Sequence, residues 1–496
     1  MDLTPHLPAL QVIVPMLFSP LVLLLKPRGL AWAGATAVAL LSFAIALNMA
    51  IAVADGAHFK YDMGGWEAPY GIELSVGAFS ALLLLIVTGA AAAALLASRP
   101  SVDRQIELER QPLFYSAWLL ALAGLVGIVV SADAFNIFVF MEISSLASYV
   151  LIAGGPDRRA LPAVFKYLIM GTIGATFYLI GVGLVYMMTG TLNLADMAAR
   201  IGGVTDINPL LVAAGFITIG LALKAAVFPL HVWVPNAYAH APHMVTVFLA
   251  ACATKVAIYV LIRFDFWVFQ ANLEQHALQF SLFLMPLALL GILVASAVAV
   301  FEGHIKRLLA MSSVAQIGYI VLGASFVTES GLTAASSHMF NHALAKGGLF
   351  LAIAGLGYHY RDLSLAQLAG AARNMPWTAA AMVICGFSLI GIPGTAGFIS
   401  KWLLINAALD EGRLAWVLVA IILVSSLMAL AYVWRIIETL YFKTPVDEEA
   451  VHGEAPLQLL LVTWLVAIAN IFFGLFPQFP LALSSAAAQL LLRQTL

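Results

Sequence analysis

The chain has 496 residues, of which 63% are hydrophobic and 10% charged, and its mean hydropathy is +1.00. Soluble globular chains carry roughly 25% charged residues, so an aqueous fold is excluded and an all-α polytopic membrane protein is indicated. A net charge of −2 without a basic tail leaves no footprint for nucleic acid, and the two cysteines, Cys252 and Cys385, lie in apolar runs that suggest neither disulfides nor a metal site.

Apolar segments predict about 14 spans on the roughly 20-residue criterion. Their centres fall near Val14, Leu41, Leu84, Ala123, Met141, Ala175, Ala214, Ala251, Ala288, Gln316, Leu344, Gly386, Val424 and Ile468. The first span lacks a basic start and a cleavage motif and reads as retained. The period-two alternation of an outer-membrane barrel is missing.

Lys and Arg are unevenly shared between the loops. One parity holds Lys26, Arg28, Arg99, Arg104, Arg110, Arg158, Arg159, Lys306, Arg307, Arg361, Arg373 and Lys443; the other holds Lys60, Arg200, Arg263, Arg413 and Arg493. Twelve against five places the first set in the cytoplasm and, for an even number of spans, both termini outside.

The stretch MEISSLASYVLIAG (141–154) resembles AMSSVAQIGYIVLGA (310–324) at an offset of about 168 residues, near five spans. An odd number of spans inverts the second copy. The expected organisation is therefore helices 1–3 over 1–112, a five-helix repeat over 113–270, an inverted repeat over 271–445, and helix 14 over 446–496. The seventh and twelfth helices should be broken, by Pro229 and Pro235 in LALKAAVFPLHVWVPNAYAH and by Pro393 with its flanking glycines in GIPGTAGFISKWLL.

Ionisable residues at membrane depth cost about 2.5 to 3.5 kcal/mol each on insertion scales, and they mark function by default. Glu142, Lys224 and Lys255 fall mid-span, and Lys401 follows the second break. His338, His342 and Lys346 recur at i, i+4 and i+8, on one helical face. Burial disfavours a charged lysine, a nearby carboxylate restores it, and histidine carries protons near neutral pH, so the set suits proton relay. Metal binding by the histidine pair is disfavoured by Lys346 and by the missing acidic partner.

Structural alternatives stand beside each residue. Glu142 and Lys224 form a static ion pair in the bland reading, and Lys346 snorkels. His231, His240 and His243 are solvated or capping, Lys166 is an interfacial anchor, and Glu302, His304, Lys306 and Arg307 are a cytoplasmic loop. No CxxC set, dinucleotide fingerprint or haem ligand pair supports a redox centre, and the depth of the charges argues against a purely structural scaffold.

The motifs FxFMExSSLxSYxL, LKAAxFPLHxWxPxAY, ATKVAxYVLxR, EGHIKRLLAxSSxAQIGY, HMxNHALxKGxLFL and GxPGTAGFxSKW occur in this order over roughly residues 75 to 445. Together they resemble the antiporter-like subunits shared by Mrp-type cation/proton antiporters, respiratory complex I and membrane-bound hydrogenases, most closely the D-type subunit of Mrp antiporters. The resemblance implies a 14-helix fold with two inverted five-helix repeats and a proton-transfer axis of Glu142, Lys224, Lys255, His338, His342, Lys346 and Lys401, with His231, Asn236, Pro229 and Pro393 secondary. It implies partners akin to the Mrp A, B, C, E, F and G proteins handling protons and Na+ in the inner membrane; the residues themselves call for no cofactor or metal. The alternative is the proton-pumping subunit of a complex I-like dehydrogenase, a membrane-bound hydrogenase or an inorganic-carbon uptake complex. Lysine at 401, where one complex I subunit type has glutamate, favours the Mrp D type, as does the missing extension after span 14. Asn236 departs from the aspartate of many relatives, so no carboxylate role transfers to it.

Overall fold

A computed structural model describes residues 3–25, 29–269, 278–445 and 453–493; Lys26 and Arg28, counted above for orientation, lie outside them. In hydrocarbon every backbone polar group must be satisfied within the segment, and the apolar runs accordingly form helices. In chain order these are α1 (Leu7–Val22), α2 (Leu30–Ala54), α3 (Ala78–Gln105), α4 (Gln111–Val130), α5 (Ala134–Ala153), α6 (Ala160–Thr189), α7 (Leu194–Ile201), α8 (Asn208–Ala225) and α9 (Val234–His240). They continue as α10 (His243–Ile262), α11 (Leu278–Phe301), α12 (Ile305–Ser325), α13 (Glu329–His359), α14 (Pro376–Ile390), α15 (Ala396–Leu409), α16 (Ala415–Tyr441), α17 (Leu457–Leu475) and α18 (Gln478–Arg493). Helix starts follow local chemistry: Pro112, Pro209 and Pro376 occupy first turns, and the Asp133 and Thr328 side chains accept the backbone N–H of Asn136 and Gly331 at 2.7 and 3.1 Å.

Among the described residues thirteen helices are long and apolar enough to cross a membrane, and the shorter apolar helices α14 and α15 form a broken pair that supplies the fourteenth crossing. The chain is a multi-pass membrane protein. A two-stranded antiparallel hairpin, β1 (Phe59–Asp62) and β2 (Glu73–Val76), marks the hairpin face of the bundle; the links before α6, α10 and α12 mark the opposite, loop face. Helix α10 continues through a π-helical segment, Arg263–Phe269, toward the hairpin face. The centre is occupied by α12, buried along all of its most apolar 18-residue stretch, and by α10, buried along 94% of its own. By contrast α16 and α17 bury 33% and 28%, turning Trp416, Leu427 and Leu461 outward.

The inverted repeat is visible in the backbone. Before α5, on the hairpin face, Asp133 forms an isolated antiparallel bridge with Asn193, where Ala134 N–H donates to Leu192 O at 2.8 Å and Leu194 N–H to Ala132 O at 2.9 Å. Before α12, on the loop face, His304 bridges Ser364 identically, with Ile305 N–H donating to Leu363 O at 3.1 Å and Leu365 N–H to Gly303 O at 2.8 Å. The Ser144 and Ser145 hydroxyls both donate to Met141 O, as those of Ser312 and Ser313 do to Leu309 O. In each set of five, α4 to α10 and α11 to α16, the fourth crossing is the broken one.

Two expectations need correction. The segment 446–496 was expected to hold one helix, but it carries both α17 and α18, because Pro477 follows α17 and restarts the chain as an amphipathic helix packed on α3 and α13. Lys306, expected in a solvated loop, is 2% exposed and donates from Nζ to Ala241 O at 2.8 Å. Its position in the first turn of α12 places it inside the seam with the α9–α10 junction.

Candidate functional site

Both helix breaks present lysines to half-helix C-termini. Lys224 sits in the last turn of α8, which ends when Ala226 adopts φ +58°. Trp233 Nε1 donates to the Leu223 carbonyl at 3.1 Å, which also accepts from Ala226 N–H at 3.3 Å, and stacks on Tyr167 with centroids 4.0 Å apart, so an indole braces the break. Lys401, on α15, reaches back to α14 and donates from Nζ to Ile390 O at 2.8 Å. Gly391 makes this reach feasible: it ends α14 at φ +90°, and a Cβ there would lie 2.9 Å from Lys401 Cδ. A helix C-terminus carries a partial negative charge, so each ammonium meets a favourable dipole end.

Lys224 Nζ also lies 3.3 Å from Glu142 Oε1 and 2.7 Å from Ser145 Oγ. The lysine side chain is 6% exposed and the carboxylate 30% exposed. Between Lys224 and Ala253, Val256 and Ala257 of α10 lies a cavity of about 30 Å³, lined by Ser144, Ser145 and Tyr167. One water needs about 10–15 Å³ by this measure, so there is room for a water between Lys224 and α10.

Lys255, fully buried on α10, donates to Ala250 O. Across from it, α13 carries His338, His342 and Lys346 one turn apart, all at most 3% exposed. The two imidazoles stack with centroids 6.0 Å apart and planes at 6°. His338 bridges Ser400 Oγ through Nδ1 and Gln316 Oε1 through Nε2, both at 2.8 Å. Since an amide oxygen only accepts, this arrangement puts the His338 proton on Nε2, facing Gln316. His342 has neither ring nitrogen bonded, while Lys255, Lys346, His338 and Lys401 all lie within its electrostatic reach. Lys346 donates to Leu309 O at 2.6 Å and to Ser312 Oγ, so it is anchored inside and does not snorkel. Lys401 completes the row, 3.2 Å from Ser426 Oγ and 5.0 Å above the Tyr319 ring. Among the described residues no group of three or more His, Cys, Asp or Glu converges; the row consists of nitrogen bases with one carboxylate at its end.

The secondary residues stand apart. His231 stacks on Phe228 at 5.2 Å with Nδ1 unbonded, Pro229 lies in the link between α8 and α9, and Pro393 is exposed in the turn between α14 and α15. Asn236 Oδ1 accepts from Arg307 Nη2 at 3.2 Å, joining α9 to α12 on the loop face. Nearby His240 Nδ1 lies 2.9 Å from Asp157 Oδ2. Burial of Asp157 alone raises its carboxyl, but hydrogen bonds from Arg159 and His240 outweigh it and hold the group down at about 2. Sequence reasoning missed Ser145, Ser312, Gln316, Ser400 and Tyr319. The SS pair shared by the two repeated stretches was the available signal, since one serine of each pair receives a lysine.

Comparison with known proteins decides the family. The profile described as "NADH:quinone oxidoreductase/Mrp antiporter, TM" matches residues 131–429, more than half of the chain. The N subunit of a NADH-quinone oxidoreductase from Desulforudis audaxviator is 40% identical over 493 residues, spanning 96% of each chain. The chain belongs to this family. As a member of the oxidoreductase/Mrp antiporter family, it carries every residue from Glu142 to Lys401 within the matched stretch. It is also 29% identical to the D component of a Na+/H+ antiporter from Alkalihalophilus pseudofirmus, over 89% of this chain and 88% of that one. It superposes on a chain of the Mrp complex from Dietzia sp. with a TM-score of 0.89 at 28% identity, over 99% and 98% of the two chains.

Proposed function

We propose that this chain is the proton-translocating subunit of a multi-subunit Mrp-type Na+/H+ antiporter. The carrying observation is the Glu142–Lys224 pair at a helix break, followed inward by buried nitrogen bases on α10, α13 and α15. A lysine beside a carboxylate holds its proton; when the pair opens, burial favours release. Released protons pass toward Lys255 through the water-sized space beside Lys224, then along His342 and His338 to Lys401, with Lys346 setting the field at His342. His338 acts as a relay that takes up a proton on Nδ1, beside the Ser400 hydroxyl, and passes it on from that atom, while Gln316 holds the Nε2–H in place.

The Mrp assembly is supported by the near full-length superposition on an Mrp chain and by Lys401. In this reading the partners are proteins like Mrp A, B, C, E, F and G, and the loop face lies in the cytoplasm with both termini outside the inner membrane, as the Lys and Arg distribution supports. A second reading, the proton-pumping membrane subunit of a complex I-like dehydrogenase, is favoured by the 40% identity to the N subunit of a NADH-quinone oxidoreductase over 96% of both chains.

Vesicles carrying the purified complex separate the two. Sodium-driven proton movement without an electron donor is expected; strict dependence on NADH, formate or H2 assigns the chain to the second reading.

A further inference from the structure

The proton row leaves unused a partly open cavity of about 600 Å³ on the hairpin face, lined by the β1–β2 hairpin, the start of α3, the far end of α10 and α18. Val53, Phe79, Leu490 and Leu491 supply an apolar wall, and Arg263 faces them from the end of α10. Arg263 is 3% exposed. Its guanidinium lies 5.3 Å from the Tyr259 ring centroid and 5.0 Å from that of Trp267, and Nη1 donates to Ser131 O at 2.7 Å.

Among the described residues, no carboxylate comes within 4.0 Å of it. Glu73, the one acid in the described lining, is already committed, with Oε1 3.2 Å from Lys60 Nζ and Oε2 accepting from Asn193 Nδ2 at 2.9 Å. Asp265 does not line the cavity and pairs with Thr218 at 3.5 Å. His58, bonded to Ser75 at 3.2 Å, is held below its ordinary value by burial first and by the Lys60 charge second, and an imidazole in either form supplies no negative charge to Arg263. A buried cation without a counter-ion is expensive, whereas two flanking aromatic faces and a planar fork are what an arginine needs to hold an oxyanion bidentately.

We propose that this cavity binds a phosphate-bearing anion, with Arg263 as its counter-charge. The volume far exceeds a phosphate, and its apolar wall suits an acyl chain, so an anionic phospholipid headgroup satisfies both halves; free phosphate offers the same chemistry without the tail.

The test is the structure of the intact complex by electron cryomicroscopy in two nanodisc preparations, phosphatidylglycerol alone and phosphatidylcholine with inorganic phosphate. Phosphate density within hydrogen-bond distance of Arg263 in the first identifies a lipid, and density only in the second identifies the free anion; either supports the site. Bound phosphatidylglycerol or phosphate, titrated by the emission of Trp267 against a Trp267→Phe blank, should weaken at least about tenfold in Arg263→Gln and recover only in part in Arg263→Lys, which restores the charge without the planar fork. An empty cavity in both wild-type preparations, or equal binding by Arg263→Gln, overturns the proposal. Neither readout uses transport, so its failure is distinct from failure of the proton-axis reading.

Discussion

Lys224 and Glu142 meet across 82 residues of sequence, with Nζ 3.3 Å from Oε1, at the point where α8 ends in the left-handed Ala226. Glu142→Gln removes the charge that holds the ammonium but keeps the shape. Transport is expected to fall at least about tenfold, the scale of a lost charge-assisted contact, while the complex still assembles. Ser145→Ala, which removes the 2.7 Å contact but no charge, should give a smaller loss. Growth under sodium and alkaline stress, with pull-down of the partner proteins as the assembly control, measures both; full activity in Glu142→Gln removes the pair from the mechanism.

His338 uses both ring nitrogens. Replacing it with leucine strands Gln316 Oε1 in a buried site, at about 1–3 kcal/mol, and leaves Ser400 Oγ only its 3.3 Å bond to Gly397 O. Thermal unfolding of the purified complex should shift downward by several degrees, and Gln316→Leu in addition should cost less than its single effect because the shared bond is already gone. Independent, additive shifts would show that the bridge is not formed.

Gly391 occupies a left-handed position beside Lys401. Gly391→Ala adds a Cβ at φ +90° and 2.9 Å from Lys401 Cδ, which forces the lysine off Ile390 O or distorts the turn. Backbone strain of about 1–3 kcal/mol and a transport loss like that of Lys401→Ala are expected. Gly412, also at positive φ but with open space around its Cβ direction, is the control: Gly412→Ala should show strain without transport loss.

His304 connects stability to pH. Burial first, and the Lys306 charge second, pull its ring down from 6.5 to about 4. The folded state thus binds fewer protons than the unfolded one between these values, so its contribution is present above pH 6.5 and is lost as pH falls toward 4. Thermal stability in detergent should decline over that window, and His304→Gln should flatten the decline; an unchanged slope in the variant would place the dependence elsewhere.

Much of this protein was legible without coordinates. Composition set the solvent, prolines at 229 and 235 and the glycines around Pro393 announced the two breaks, and a repeated SS motif announced the inversion, because these are local or periodic properties that lipid enforces on a helix. The lysines stood out because charge at membrane depth is costly wherever it occurs. Tertiary structure decided the pairings: Lys224 with Ser145, Lys346 with Ser312, and His338 between Gln316 and Ser400 join helices tens of residues apart. It also decided that Lys306 is buried and that α18 lines a cavity. Around their few polar residues, helices such as α12 and α13 carry apolar and small side chains on all sides, so periodicity does not show which sides partner helices cover; packing alone makes that distinction.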